Sequence, residues 1–211
     1  MFLRFGAGLL LAACATVSTG AGPAPAILVM GDSLSAEYGL QRGQGWVALM
    51  DARLREQHLD YSVVNASISG DTTAGGAARL GSALASAKPA IVIIELGSND
   101  GLRGLSLDAS RANLESMITA SRKAGAKVLL IGMQIPPNYG RDYTEKFKGL
   151  FPELARRYKT ALTPFLLEGI GEKPELFQAD GLHPLAQAHP RILDNVWPAL
   201  QPLLKGARPK R

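Results

Sequence analysis

Four short apolar runs punctuate the chain, at residues 26–30, 61–66, 90–96 and 127–133. Each is rich in Val and Ile and nearly continuous, which predicts strands buried on both faces. Between them, apolar positions recur at helical spacing. Trp46, Val47, Leu49, Met50 and Leu54 form one stripe, and Leu107, Leu114, Met117 and Ile118 another. Residues 73–87 are alanine-rich, with Leu80 and Leu84 four apart. Helical patterns also cover 145–157 and 185–204, the latter in spite of Pro190 and Pro198. Strand and helix alternating at this interval predict an α/β fold, a central parallel sheet with helices on both faces. Right-handed crossovers bring the loops after the strands to one edge, where such folds bind ligands.

Polar and glycine residues gather in those loops. The first run ends in Gly31-Asp32-Ser33-Leu34-Ser35 and the second in Ser67-Ile68-Ser69-Gly70-Asp71-Thr72. The third ends in Gly97-Ser98-Asn99-Asp100, and Asp180-Gly181-Leu182-His183-Pro184 follows near the C-terminus. Four such segments at one sheet edge have the makings of a site.

Composition narrows what that site serves. With 46% hydrophobic and 19% charged residues the chain is globular, neither disordered nor coiled-coil. No internal repeat or second linker divides it, so residues 26–204 read as one domain, expected to be a monomer. Five of its 23 basic residues, Arg4, Lys205, Arg208, Lys210 and Arg211, lie at the ends, leaving 18 to balance 18 acids. The excess of +5 therefore belongs to the ends, residues 205–211 forming a basic tail. A nucleic-acid groove is excluded by that distribution.

Residues 5–17 are apolar or small and follow Arg4, the pattern of a secretory leader, too short to span a bilayer. Export to the periplasm or cell envelope is the expectation. The single cysteine rules out an internal disulfide framework. It stands in Leu11-Ala12-Ala13-Cys14, which resembles the lipobox of bacterial lipoproteins. That resemblance implies removal of residues 1–13, acylation of Cys14 and a membrane anchor, with residues 14–25 as a flexible tether. An ordinary signal peptide cut after Ala13-Cys14-Ala15 fits the same residues.

Only three histidines compete for a catalytic role. His58 ends a polar helix, His189 has no motif around it, and His183 follows Asp180 by three residues in a loop bounded by glycine and proline. That spacing lets the carboxylate hold one imidazole nitrogen and leave the other as a base, although a lone loop histidine is more often simply exposed. Ser33 is the best candidate nucleophile, placed where a strand turns; a turn or N-cap serine is the bland alternative. The G-x-S-x-G elbow of α/β-hydrolases is absent, because Ser35 stands where its second glycine would be. Gly70 can bring a backbone N–H close to a substrate, and Asn99 offers an amide donor. Each such donor to an oxyanion lowers a barrier by roughly 3 kcal/mol.

These four blocks resemble those of the SGNH (GDSL) hydrolase family. Residues 64–72, Glu95-Leu96-Gly97, Asn99-Asp100-Gly101-Leu102-Arg103-Gly104 and Pro137-Asn138-Tyr139-Gly140 further resemble its thioesterase I/lysophospholipase L1/arylesterase branch. The resemblance covers residues 27–204, and Ser98 departs from the glycine usual in that branch. It implies a flavodoxin-like three-layer α/β/α sandwich and an enzyme without metal or cofactor. Carried over, Ser33 is the nucleophile, His183 the base and Asp180 its partner. Ser33 N–H, Gly70 N–H and the Asn99 side chain make the oxyanion hole.

The expected activity is hydrolysis of carboxylic esters or thioesters: aryl esters, lysophospholipids or medium-chain acyl groups. Loops 74–79, 102–106 and 134–141 are expected to shape an acyl pocket lined by Leu102, Leu105, Ile135 and Tyr139, core packing being the alternative for each. Asp32, Asp71 and Asp100 lack a histidine pair and read as loop-holding carboxylates, so no metal is expected. Glu95 in an apolar strand must be paired or protonated, and the sequence names no partner. Asn65-Ala66-Ser67 is read as a chance match to a glycosylation sequon. The rival readings are a carbohydrate O-acetylesterase of the same family and a non-catalytic lipid-binding surface module.

Overall fold

The computed structural model describes residues 24–204. The leader, Cys14 and the tail from Lys205 lie outside the described residues. Five parallel strands form one sheet: β1 (Ala26–Gly31), β2 (Ser62–Asn65), β3 (Ile91–Glu95), β4 (Lys127–Ile131) and β5 (Ala161–Thr163). Their order is β2-β1-β3-β4-β5. The chain steps outward from β1 to β2, then back across β1 to β3. That reversal is the topological switch point at which doubly wound sheets bind ligands.

Six helices cover the sheet: α1 (Trp46–Glu56), α2 (Thr73–Ala87), the single-turn α3 (Ser98–Leu102), α4 (Leu107–Lys123), α5 (Arg141–Tyr158) and α6 (His189–Leu204). α1 packs on α6, whereas α2 packs on α4 and α4 on α5. With right-handed crossovers the first pair covers one face and the other three the opposite face. This is the three-layer α/β/α sandwich expected.

Local chemistry sets the elements. β1, β3 and nearly all of β4 are buried on both sides, so every side chain is apolar save Glu95 and the first residue, Lys127. Thr72 caps α2 by accepting from Gly75 N–H at 3.3 Å, and Ser106 caps α4 in the same way from Ala109. α6 starts at His189, later than the pattern suggested; Pro190 falls in its first turn, where a missing N–H costs nothing. Pro198 and Pro202 lie inside this helix, held by the buried stripe of Ile192, Leu193, Val196 and Leu200.

Two expectations are corrected. Residues 61–66 contain a strand, but β2 is an edge strand, mostly exposed, with Val64 at 39%. Its valines pack on one side only. β5 was not anticipated: three residues beside a polar helix end are too few to show a period.

Candidate active site

The carboxyl ends of β1, β2 and β3 deliver three of the polar blocks to one edge. Beyond β1 the chain turns sharply, with Ser35 and Ala36 N–H both donating to the Asp32 carbonyl. Asp32 Oδ1 accepts from Leu34 N–H at 3.0 Å, and this side-chain turn holds Ser33 at its tip. The fourth block follows β5, the edge strand farthest from β2. It is a small hairpin in which Phe177 bridges Pro184 and Gln178 N–H donates to His183 O.

The hairpin brings His183 Nε2 to 2.8 Å from Ser33 Oγ, while His183 Nδ1 lies 2.7 Å from Asp180 Oδ2. Asp180 Oδ1 accepts from Leu182 and His183 N–H. The hydrogen bond from His183, and then that from Leu182 N–H, hold the Asp180 carboxyl down at about 2, so it stays ionised. Tyr38 packs its ring on His183, centroids 4.3 Å apart, and its carbonyl accepts from Gln178.

Gly70 sits at φ +80, a left-handed conformation that favours glycine. Among the described residues, the N–H groups of Ser33 and Gly70 donate to no protein acceptor. Asn99, on α3, donates to the Asp71 carbonyl at 2.9 Å and reaches Asp32 Oδ2 at 3.3 Å. The residues expected as nucleophile, base, orienter and oxyanion donors thus come together from four separate segments.

Beneath Ser33 lies a buried carboxyl pair. Asp32 is fully buried, which pushes its carboxyl up to about 6 against the pull of Leu34 N–H. Glu95, also fully buried, is pushed well above the carboxylate range by that burial and by Asp32. Its Oε2 accepts from Ser35 Oγ at 2.6 Å and from Asp32 N–H at 3.4 Å, and Ser35 Oγ accepts from Trp46 Nε1. The partner that the sequence did not name for Glu95 is Ser35.

The other two aspartates hold loops. Asp71 pairs with Arg79, whose guanidinium also donates to the carbonyls of Gly31 and Ala66. Asp100 accepts from Thr73 N–H, Thr73 Oγ1 and Ser110 Oγ, joining α3 to α2 and α4. His58 is exposed. His189 is buried and accepts from Trp46 N–H through Nδ1, and burial lowers its pKa; it is a structural, neutral imidazole. Asn65 uses its amide to bind the Ser35 carbonyl.

A cavity of about 710 Å³ opens beside Ser33 and His183. Leu34, Leu102, Met133, Ile135, Phe165 and Leu182 supply much of its apolar wall, and Lys148, Glu168, Glu172 and Lys173 also border it. Leu102 and Ile135 are where expected. Leu105 and Tyr139 do not line it and stand exposed at 41% and 38%. The Leu105 carbonyl is tied to Tyr143 Oη, and Tyr139 lies on a single-turn 3-10 helix at Pro137–Tyr139. Residues 74–79, expected as a pocket-shaping loop, lie instead in α2 and do not line the cavity, and the structural part played by Arg79 was missed with Tyr38 and Met133. Only their three-dimensional neighbours give them a part, and no local pattern marks them.

The chain's relatives share this ground. Esterase TesA of Pseudomonas aeruginosa is 54% identical over 198 residues, 93% of this chain and 98% of that protein. Thioesterase 1/protease 1/lysophospholipase L1 of Escherichia coli is 41% identical, over 87% of each chain. Among solved structures, the psychrotrophic esterase EstA from Pseudoalteromonas sp., inhibited by monoethylphosphonate, superposes with a TM-score of 0.81 at 38% identity, covering 86% of this chain and 99% of its own. Residues 29–191 match the model of one family, and with these relatives they establish that the chain belongs to the GDSL-like lipase/acylhydrolase family.

Proposed function

We propose that the protein hydrolyses carboxylic esters and thioesters through an acyl-enzyme on Ser33. The reading rests on one observation: the Ser33–His183–Asp180 relay opens onto an apolar cavity beside two unpaired N–H groups. His183 Nε2 takes the Ser33 proton as Oγ attacks the carbonyl carbon. Asp180, ionised, fixes the tautomer with the proton on Nδ1 and stabilises the imidazolium. Ser33 N–H, Gly70 N–H and Asn99 Nδ2, which exchanges its long 3.3 Å contact to Asp32 for the substrate, receive the oxyanion. The imidazolium then protonates the leaving alcohol or thiol. Water, deprotonated by His183, attacks the acyl-enzyme, and Ser33 recovers its proton as the acid leaves. The names of the relatives, an esterase and a thioesterase/lysophospholipase, support this chemistry.

The cavity's volume of about 710 Å³ and its apolar wall favour medium acyl chains over acetyl. Activity on a p-nitrophenyl ester series should rise from acetyl toward octanoyl, and Ser33→Ala and His183→Ala should each lose about 10⁴-fold or more in kcat. Preference for acetyl would favour an O-acetylesterase. Unchanged turnover in both variants would overturn the mechanism.

We further infer that residues 26–204 form one catalytic domain, exported behind its leader and held on a membrane through Cys14. Cys14→Ser should move the protein from the detergent to the aqueous phase. A wild type found in the aqueous phase removes the anchor from this picture.

A further inference from the structure

We infer that the face made by the starts of β3, β4 and β5, opposite the Ser33 edge, docks on an anionic phospholipid bilayer through Lys88, Lys123 and Lys159. Lys88 caps α2 just before β3, Lys123 ends α4 before β4, and Lys159 caps α5 before β5. All three are exposed, and among the described residues none has an acidic partner. Between α4, α5 and the end of α6 lies a hollow of about 250 Å³, bordered by Arg122, Lys127, Lys159 and Thr160 and by no acid. Arg122 donates to the Tyr158 carbonyl and Lys127 to the Leu203 carbonyl, so their charges are held at its rim. Thr160 Oγ1 is buried there without a hydrogen-bond partner among the described residues. An anionic headgroup at the hollow would meet the cations held at its rim.

Helix dipoles favour cations at helix ends, which accounts for part of this pattern. They do not account for the choice of residue. Lys88 and Lys159 adopt φ of +42 and +49, left-handed positions where glycine would be unstrained. Nor do they account for the acids, since Glu56 and Asp60 stand at the far, β2 edge. Asp32, Asp71, Asp100 and Asp180 lie away from this face, at the catalytic end.

Charge complementarity selects an anionic surface as the occupant. The points where the chain leaves the described structure agree with it. β1 begins and α6 ends at this face, so the segment from Cys14 and the basic residues Lys205, Arg208, Lys210 and Arg211 attach there. Docked this way, the protein turns Ser33 toward water, and its substrates arrive from solution.

The test uses the full chain carrying Cys14→Ser, sedimented with vesicles of phosphatidylcholine with or without phosphatidylglycerol. Binding should require phosphatidylglycerol and weaken with salt. Adding Lys88→Gln, Lys123→Gln and Lys159→Gln should lower affinity roughly 100-fold, at about fivefold per cation. Turnover of a soluble ester should stay unchanged. A second variant, Lys88→Gly with Lys159→Gly, relieves the left-handed backbone and should bind about 30-fold more weakly without loss of thermal stability. Equal binding to both vesicle types would overturn the proposal. So would loss of binding only when the four tail cations become Gln, or equally tight binding to duplex DNA at the same salt. These outcomes leave the esterase reading untouched, because none depends on Ser33.

Discussion

The Ser35 hydroxyl donates a 2.6 Å hydrogen bond to Glu95, and this bond fastens the end of β3 beneath the turn that carries Ser33. Trp46 Nε1 extends the chain by donating to Ser35 at 3.2 Å, so α1 is tied to the same floor. Burial and the neighbouring Asp32 both oppose the charge of Glu95 and favour its neutral form. Glu95→Gln should therefore fold and turn over substrate much as the wild type does. Glu95→Leu leaves Ser35 and the Asp32 N–H without their acceptor, which should cost about 1–3 kcal/mol in urea unfolding.

Asp32 gives stability an unusual dependence on pH. Its carboxyl, at about 6 when folded against 3.8 ordinarily, binds a proton in the folded protein that the unfolded chain has released. From this group, stability rises as pH falls from about 7 toward 4, by at most about 1.4 kcal/mol per pH unit. Asp180 acts in the opposite sense. Its carboxyl is held at about 2, so its contribution is present above the unfolded value and is lost as pH falls through 2. Unfolding of Asp32→Asn, followed across pH 4–7, should show a flatter profile than the wild type. A profile as steep as the wild type's would remove Asp32 as its source.

Arg79 joins two halves of the site. Its guanidinium binds the Gly31 carbonyl, two residues before Ser33, and Asp71, next to Gly70. Arg79→Met should let the Ser33 turn and the Gly70 loop drift apart. We expect kcat to fall about 10–100-fold with little change in KM, since a small misplacement of reacting groups is enough for that. Arg79→Lys should recover only part of this, because an ammonium cannot make the forked contact.

Asp180→Asn keeps the shape of the hairpin but removes the charge that fixes the His183 tautomer. Loss of about 10³–10⁴-fold in kcat is expected at neutral pH, with unfolding midpoints near wild type. A loss under tenfold would show that the His183–Asp180 contact is only structural.

Tyr38 covers one side of His183, with 4.3 Å between ring centroids. Tyr38→Ala should expose the imidazole to water and lower kcat several-fold. Tyr38→Phe should retain the wild-type rate, because the contact is made by the ring. Steady-state kinetics of the pair separates ring packing from any role of the hydroxyl.

Much of this molecule can be read from the order of its residues, and the readable parts share a physical cause. β1, β3 and β4 are buried between helices, so their sequences are forced to be apolar and continuous. The amphipathic stripes of α1 and α4 follow from packing one face on that sheet. Ser33, Asp180 and His183, which the structure brings together, could be singled out because each sits in a short motif at a strand end or in a glycine-bounded loop. β5 and the exposure of β2 were not legible, because edge strands face few neighbours and carry weak patterns. Leu105 and Tyr139 were misjudged because an apolar residue in a loop does not declare which way it faces.

Periodicity alone therefore determined the parallel sheet and the helices that cover it, whereas the candidate residues for acyl transfer came from short motifs and the family resemblance those motifs carry. Only the tertiary structure decided which distant residues touch. It set His183 against Ser33 across 150 positions, found Ser35 for Glu95 and placed Arg79 between two loops. The reason is one of range. Burial and backbone geometry constrain residues a few positions apart and leave a local trace, whereas contacts across the sheet constrain pairs whose separation in sequence carries no period.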